Sequence, residues 1–128
     1  MADDKTEVIV IAGSDGVWVH ARSYEVSVWP PEIECMDSGT WKLTVEYRGK
    51  GLWAVTQLSQ CLGADGTWEW ERRPSDQDDE WRAAHRFPLG AALALARVHA
   101  PGVTINGMTA LEVLARHRER HPDGKCRG

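Results

Sequence analysis

Seven tryptophans fall within residues 1–81 of this chain, and none falls within residues 82–128. They are Trp18, Trp29, Trp41, Trp53, Trp68, Trp70 and Trp81, set against two Tyr and one Phe. An indole buries about 150–250 Å², worth about 4–6 kcal/mol at roughly 25 cal/mol per Å². A chain of 128 residues must therefore place most of these rings in a core. The second part is rich in Ala, Leu and Arg instead. The split demands an aromatic, sheet-forming front and an aliphatic, helical back.

Residues 41–48 alternate without a break. Trp41, Leu43, Val45 and Tyr47 face one way; Lys42, Thr44, Glu46 and Arg48 face the other. Period two of this kind marks an antiparallel strand with one buried face. Residues 8–11 are a short apolar run suited to a buried strand. Residues 17–28 alternate loosely, with Tyr24, Val26 and Val28 in phase, and Trp29-Pro30-Pro31 closes that strand because proline lacks a ladder donor. After Gly49-Lys50-Gly51, residues 52–62 predict one return strand, apolar on both faces near its start. Asp65-Gly66 predicts a tight turn, and residues 67–73 the strand beyond it. Phase assigns Trp41, Trp68, Trp70 and Trp81 to the core and leaves Trp18 and Trp53 undecided. Trp29 falls out of phase with Val26 and Val28, which marks it as the aromatic left for a partner.

Residues 80–87 fit two patterns. A helix could be capped from Ser75-x-x-Asp78. Alternation of Trp81, Ala83, His85 and Phe87 favours a strand, because Pro88 then opens the next helix. Residues 89–99 predict a largely buried helix, with Arg97 its only charge. Residues 103–105 are extended, and Asn106-Gly107 is a turn. Thr109-x-x-Glu112 is a capping box, with Met108 and Val113 placed as a hydrophobic staple. Ala110, Leu111 and Leu114 would face inward, with Arg116, Arg118 and Arg120 at the negative end of the helix dipole. His121-Pro122 ends the helix.

These elements predict one α+β domain over residues 1–128: an antiparallel β-meander of about five to seven strands, then two helices packed on one face. The β-rich part spans residues 7–87, the helical part 88–121, and a flexible tail 122–128. No internal repeat stands out.

The net charge of −4 hides an asymmetry. Residues 1–81 hold 16 acids and 7 bases, for −9; residues 82–128 hold 3 acids and 8 bases, for +5. An acidic chain repels nucleic acid in bulk, while the basic C-terminal helix keeps a local phosphate contact open. No run approaches the roughly 18 apolar residues of a membrane span, and the acidic start is no secretory signal. The expected location is cytoplasmic. Cys35, Cys61 and Cys126 are odd in number and widely spaced, so reduced, inert thiols are expected rather than a disulfide framework.

Catalytic and metal chemistry find little purchase. His117-x-x-x-His121, with Cys126 beyond, spaces ligands as zinc could use them, but no paired cysteines complete a site. Ser14, Ser38 and Cys61 lie in no nucleophile motif, and Gly13-Ser14-Asp15-Gly16 is no phosphate cradle. No cofactor, metal or catalytic constellation is expected. Asp76, Asp78, Asp79 and Glu80 form an acidic loop, solvated or facing a basic partner.

The residues Gly51-Leu52-Trp53, Asp65-Gly66-x-Trp68-Glu69-Trp70-Glu71, Pro74-Ser75, Asp79-Glu80-Trp81, His85-Arg86-Phe87 and Asn106-Gly107-x-Thr109-Ala110 carry a resemblance. Over roughly residues 50–117 the chain resembles small uncharacterised proteins of actinobacteria and their phages. The resemblance implies a small accessory protein and no particular activity. The leading expectation is a non-enzymatic interaction protein or inhibitor that binds a protein partner through Trp29, Asp76, Asp78, Asp79 and Glu80. The alternatives are nucleic-acid binding through Arg116, Arg118 and Arg120, and a small-ligand module with a Trp-lined pocket. A homodimer is compatible with the charge asymmetry.

Overall fold

The computed structural model describes residues 9–30, 41–120 and 122. Cys35, His121, Cys126 and all of the expected tail except Pro122 lie outside the described residues. Strands β1 (Ile9–Ala12) and β2 (Trp18–Ala21) form a hairpin of their own. Strands β3 (Ser23–Val26), β4 (Leu43–Gly49), β5 (Leu52–Gln57), β6 (Gln60–Leu62) and β7 (Trp68–Trp70) then form a five-stranded antiparallel sheet in chain order. Helices α1 (Asp79–His85), α2 (Leu89–His99) and α3 (Ala110–Arg120) follow, with a short ribbon of β8 (Thr104–Ile105) and β9 (Met108–Thr109) before α3. The α+β meander is the architecture that the alternation predicts.

The central strand β5 explains its own composition. Trp53, Ala54, Val55 and Thr56 are all buried, so both faces of the strand are covered. Trp53 and Val55 share a face with Leu43, Val45 and Leu62, and the small residues Ala92 and Ala96 of α2 close over it. Alanine at those two positions lets the helix backbone approach the sheet. Trp53 is fully buried, with Tyr24 and Tyr47 tilted against it at 5.6 and 5.2 Å between ring centroids.

The expected strand over residues 52–62 is two strands. The chain reverses at Leu58 and Ser59, and Leu58 adopts φ +56°, 77% exposed. A leucine is a poor residue for that backbone, so nothing local announces the turn. Two other turns share one construction. Gly13-Ser14-Asp15-Gly16-Val17-Trp18 and Gly63-Ala64-Asp65-Gly66-Thr67-Trp68 each close with the first glycine's N–H on the fifth residue's carbonyl, at 2.7 and 2.8 Å. In each, the aspartate accepts from the N–H two residues on, at 2.9 and 3.0 Å. In each, the second glycine takes positive φ, +81° and +86°. The sequence thus repeats a turn, though not a domain.

Residues 80–87 are mainly helix, against the expected strand. The Asp78 carboxylate accepts from the Trp81 N–H at 2.7 Å and caps α1. The same residues that alternate also place Trp81 and His85 four apart, which is one helical face. Only Phe87 keeps a strand partner. It exchanges backbone bonds of 2.7 and 2.9 Å with Trp53, along the β5 edge that β6 borders only at Thr56 and Gln57. Asp78→Ala should cost about 1 kcal/mol by loss of the cap, read as a lower midpoint in urea unfolding.

At α3 the capping box forms in full. The Glu112 N–H donates to Thr109 Oγ1 at 3.2 Å, and the Thr109 N–H donates to Glu112 Oε1 at 3.4 Å. Ala110 and Leu114 are buried, but Leu111, expected inside, is 51% exposed. It lies a quarter-turn off the stripe set by positions 110 and 114, and that stripe is narrow.

Candidate functional site

The tryptophans divide differently from their phase. Trp41 and Trp68 pack against the core, and Trp81 is buried. Trp70, expected in the core, is 69% exposed. It ends β7, an edge strand of the five-stranded sheet, where covering ends before the alternation does. Trp29, expected to be free for a partner, is 9% exposed. Its Nε1–H is buried with no acceptor among the described residues. Trp18 is exposed on the separate hairpin, between exposed Val17 and Val19.

The acidic residues gather at the start of α1. Asp78 is spent on the cap. Asp76 lies 3.7 Å from Arg73, and Asp79 lies 3.4 Å from Arg82. Glu80 is exposed and borders a small hollow with Trp81 and His85. On the far helix, Arg116, Arg118 and Arg120 are exposed. Arg116 and Arg120 share a face, but Arg118, two residues from each, does not. Arg116 also donates to Met108 Sδ at 3.7 Å. The three arginines therefore make no single phosphate-facing stripe. Among the described residues, no group of three His, Cys, Asp or Glu is arranged to hold a metal ion, and no helix is long and apolar enough to cross a membrane.

The residues that sequence reasoning missed lie on the other face of the sheet. Glu69 and Glu71 follow the opposite phase from Trp68 and Trp70. The Trp81 Nε1–H donates to Glu69 Oε1 at 2.6 Å, and His85 Nε2 lies 3.5 Å from Glu69 Oε2. The His85 ring stacks on Trp81 at 4.3 Å, and its Nδ1 lies 2.8 Å from the Trp81 carbonyl. A carbonyl can only accept, so Nδ1 carries the proton. This packing ties α1 to β7.

Beside it, Glu71 accepts from two guanidiniums. Arg48 donates both Nε–H and Nη2–H in a fork, each at 2.8 Å. Arg86 Nη2 donates to Glu71 Oε2 at 2.8 Å, while its Nη1 donates to the His85 carbonyl at 3.1 Å. The Arg86 guanidinium lies over the Trp81 ring at 4.9 Å, and its side chain is only 7% exposed. The hydrogen bond from Arg48, with the charges of both arginines, holds the Glu71 carboxyl below its ordinary range against burial. The two arginines respond oppositely. The Glu71 hydrogen bond leads in raising Arg48, whereas burial first, and repulsion by Arg48 as well, lower Arg86. Arg86 is thus the less compensated cation.

This network floors an open basin of about 590 Å³ lined by Arg48, Ser59, Glu71, Arg72, Pro74, Gln77, Arg82 and Arg86. Cys61 lies near the network, fully buried, and burial and the nearby carboxylates raise its thiol pKa. A protonated, enclosed thiol is a poor nucleophile. The basin lies beside the turn at Leu58 and Ser59, whereas the Trp70 side chain, in the opposite phase from Glu71, leaves β7 on the other face of the sheet. No protein-family model matches the chain, and no curated protein or solved structure matches it.

Proposed function

We propose that the protein is a non-enzymatic interaction protein of the cytoplasm, an accessory factor or inhibitor that binds a partner protein. One observation carries this reading. Trp70 stands 69% exposed at an edge of the sheet, where it contributes little to the core. An exposed indole at a free strand edge is the kind of anchor that dominates binding energy. Leu58, 77% exposed, lies next to Ser59, whose carbonyl accepts from the Glu71 N–H. Asp76, Asp79 and Glu80, in the turn and helix that follow β7, supply exposed negative charge. The surface fits a partner that lays an apolar side chain against Trp70 and presents basic groups to the acidic loop. Trp70 takes the place of Trp29 in this reading; Asp76, Asp79 and Glu80 keep theirs, while Asp78 is committed to the α1 cap. The resemblance to small proteins of actinobacteria and their phages is in line with an accessory role.

The test begins with affinity capture from a lysate of the source organism, followed by titration of the purified partner. Trp70→Ala should weaken binding by about 2 kcal/mol or more, roughly thirtyfold. Its effect on stability should stay within about 0.5 kcal/mol, as for an exposed position. Asp79→Lys should weaken binding further at low salt. Unchanged affinity in both variants refutes this surface.

A further inference from the structure

The arginine basin carries an inference that does not depend on the partner-binding reading. We infer that the basin formed by Arg48, Arg72, Arg82 and Arg86 is a binding site for a phosphate group, either free or carried on a small organic molecule.

Four guanidiniums line the basin against a single carboxylate, that of Glu71. The acids just outside are poor counterweights. Glu69 lies 3.8 Å from Arg72 and Asp79 lies 3.4 Å from Arg82, with their side chains 41% and fully exposed, where water screens an ion pair. Glu46 lies 3.5 Å from Arg48 but also accepts from Thr56 Oγ1 at 2.6 Å. The lining therefore retains an excess of positive charge.

Donor count points the same way. Arg48 and Arg86 carry about ten N–H donors between them, and Glu71 offers two oxygens. A carboxylate can hold such a pair in place without saturating it. A phosphate group brings two further negative charges and at least three acceptor oxygens, and guanidinium forks match its geometry.

Position completes the case. Glu71 holds Arg48 and Arg86 at the floor through three bonds of 2.8 Å, so two guanidiniums are placed before any ligand arrives. Arg86 and Arg72 lie over the Trp81 ring at 4.9 and 5.7 Å, which restricts them further. Arg82 donates to the Gln77 carbonyl at 2.9 Å, which holds the opposite wall. Pre-placed donors lower the ordering cost of binding. The volume of about 590 Å³ suits a small phosphorylated molecule. Burial and Arg48 together depress the Arg86 pKa, a cost that an incoming anion relieves.

Isothermal titration calorimetry of the full chain tests this directly. The probes are inorganic phosphate, AMP and phosphoserine, with adenosine, serine and sulfate as controls, in 20 mM and 150 mM chloride as about two Debye regimes. Saturable phosphate binding at both salt levels is expected, with no heat from adenosine or serine. The double variant Arg72→Ala/Arg82→Ala should weaken it at least tenfold while the domain keeps one cooperative urea transition at a modestly lower midpoint, since only the Arg82–Gln77 bond and the Arg72–Trp81 contact are given up. Tighter binding of AMP or phosphoserine than of inorganic phosphate assigns the site to a phosphorylated molecule; the reverse order assigns it to the free ion. Absence of binding by all three phosphate probes overturns the inference. So does binding that vanishes at 150 mM chloride, that sulfate matches, or that the double variant retains in full. Trp70→Ala should leave phosphate binding unchanged, so failure of the partner surface and failure of this site are read separately.

Discussion

Glu71→Ala should destabilise the domain by roughly 3 kcal/mol, a large share of the 5–15 kcal/mol typical of a domain. The size follows from what is left behind. Arg86 is 7% exposed and loses its only carboxylate partner among the described residues, while Arg48 loses its fork. Breaking a buried pair by removing one member costs more than the pair is worth, because the remaining charge has neither water nor partner. Glu71→Gln should cost less, since an amide oxygen in the place of Oε2 still accepts from Arg48 Nε and Arg86 Nη2. Urea unfolding of both variants beside the wild type checks the ranking. Equal stability of Glu71→Ala and wild type would show that solvent reaches the two guanidiniums.

The same carboxylate sets a pH dependence. Its folded-state pKa lies below the ordinary glutamate value of 4.5, led by the Arg48 hydrogen bond. A depressed pKa means that the unfolded chain binds the proton more readily. The stabilisation is therefore complete above 4.5 and is lost as pH falls through the lower folded-state value. Wild-type stability should drop in that acidic window, and Glu71→Ala should show a flatter profile there.

Trp53→Ala should cost about 3–5 kcal/mol, the range for truncating a large buried aromatic. Trp53 is fully buried and touches both tyrosines, Tyr47 of the adjacent strand β4 and Tyr24 of β3 beyond it. Each such aromatic pair adds about 0.5–1.5 kcal/mol beyond its buried area. Trp53→Phe separates two effects. It removes volume, but it also removes an Nε1–H that is buried without an acceptor among the described residues. An unsatisfied buried donor costs about 1–3 kcal/mol, so its removal offsets part of the cavity. Trp53→Phe should therefore lose under about 2 kcal/mol. Equal losses for the two variants would mean that Nε1–H finds a partner in solution.

Much of the frame was legible in the residues alone. Strand β4 could be read because its alternation is unbroken, and the α3 start because a capping box is a four-residue pattern whose partners are neighbours in sequence. The failures have one physical source. Position in a strand gives the phase of a side chain but not whether anything covers that face, so Trp68 and Trp70 looked alike and ended half-buried and exposed. Likewise, the spacing of Trp81 and His85 serves a strand or a helix, and the Asp78 cap decides between them. The basin was out of reach. Arg48 and Arg86 meet Glu71 across 23 and 15 residues, and no local pattern marks an ion pair between distant strands and a helix end.

The Trp53–Phe87 bridge has a consequence for the order of events in this chain. Two backbone hydrogen bonds seal a lariat whose noose runs from residue 54 to residue 86. Every basin residue except Arg48 is strung along that noose. The bridge fixes where the chain leaves α1, so it sets Arg86, one residue before Phe87, against the sheet that carries Glu71, and closing so long a noose is an entropic toll levied on the site rather than on the core. Amide exchange at Trp53 and Phe87 is accordingly a clock for the basin, able to run apart from the global opening that frees the α2 side of the sheet.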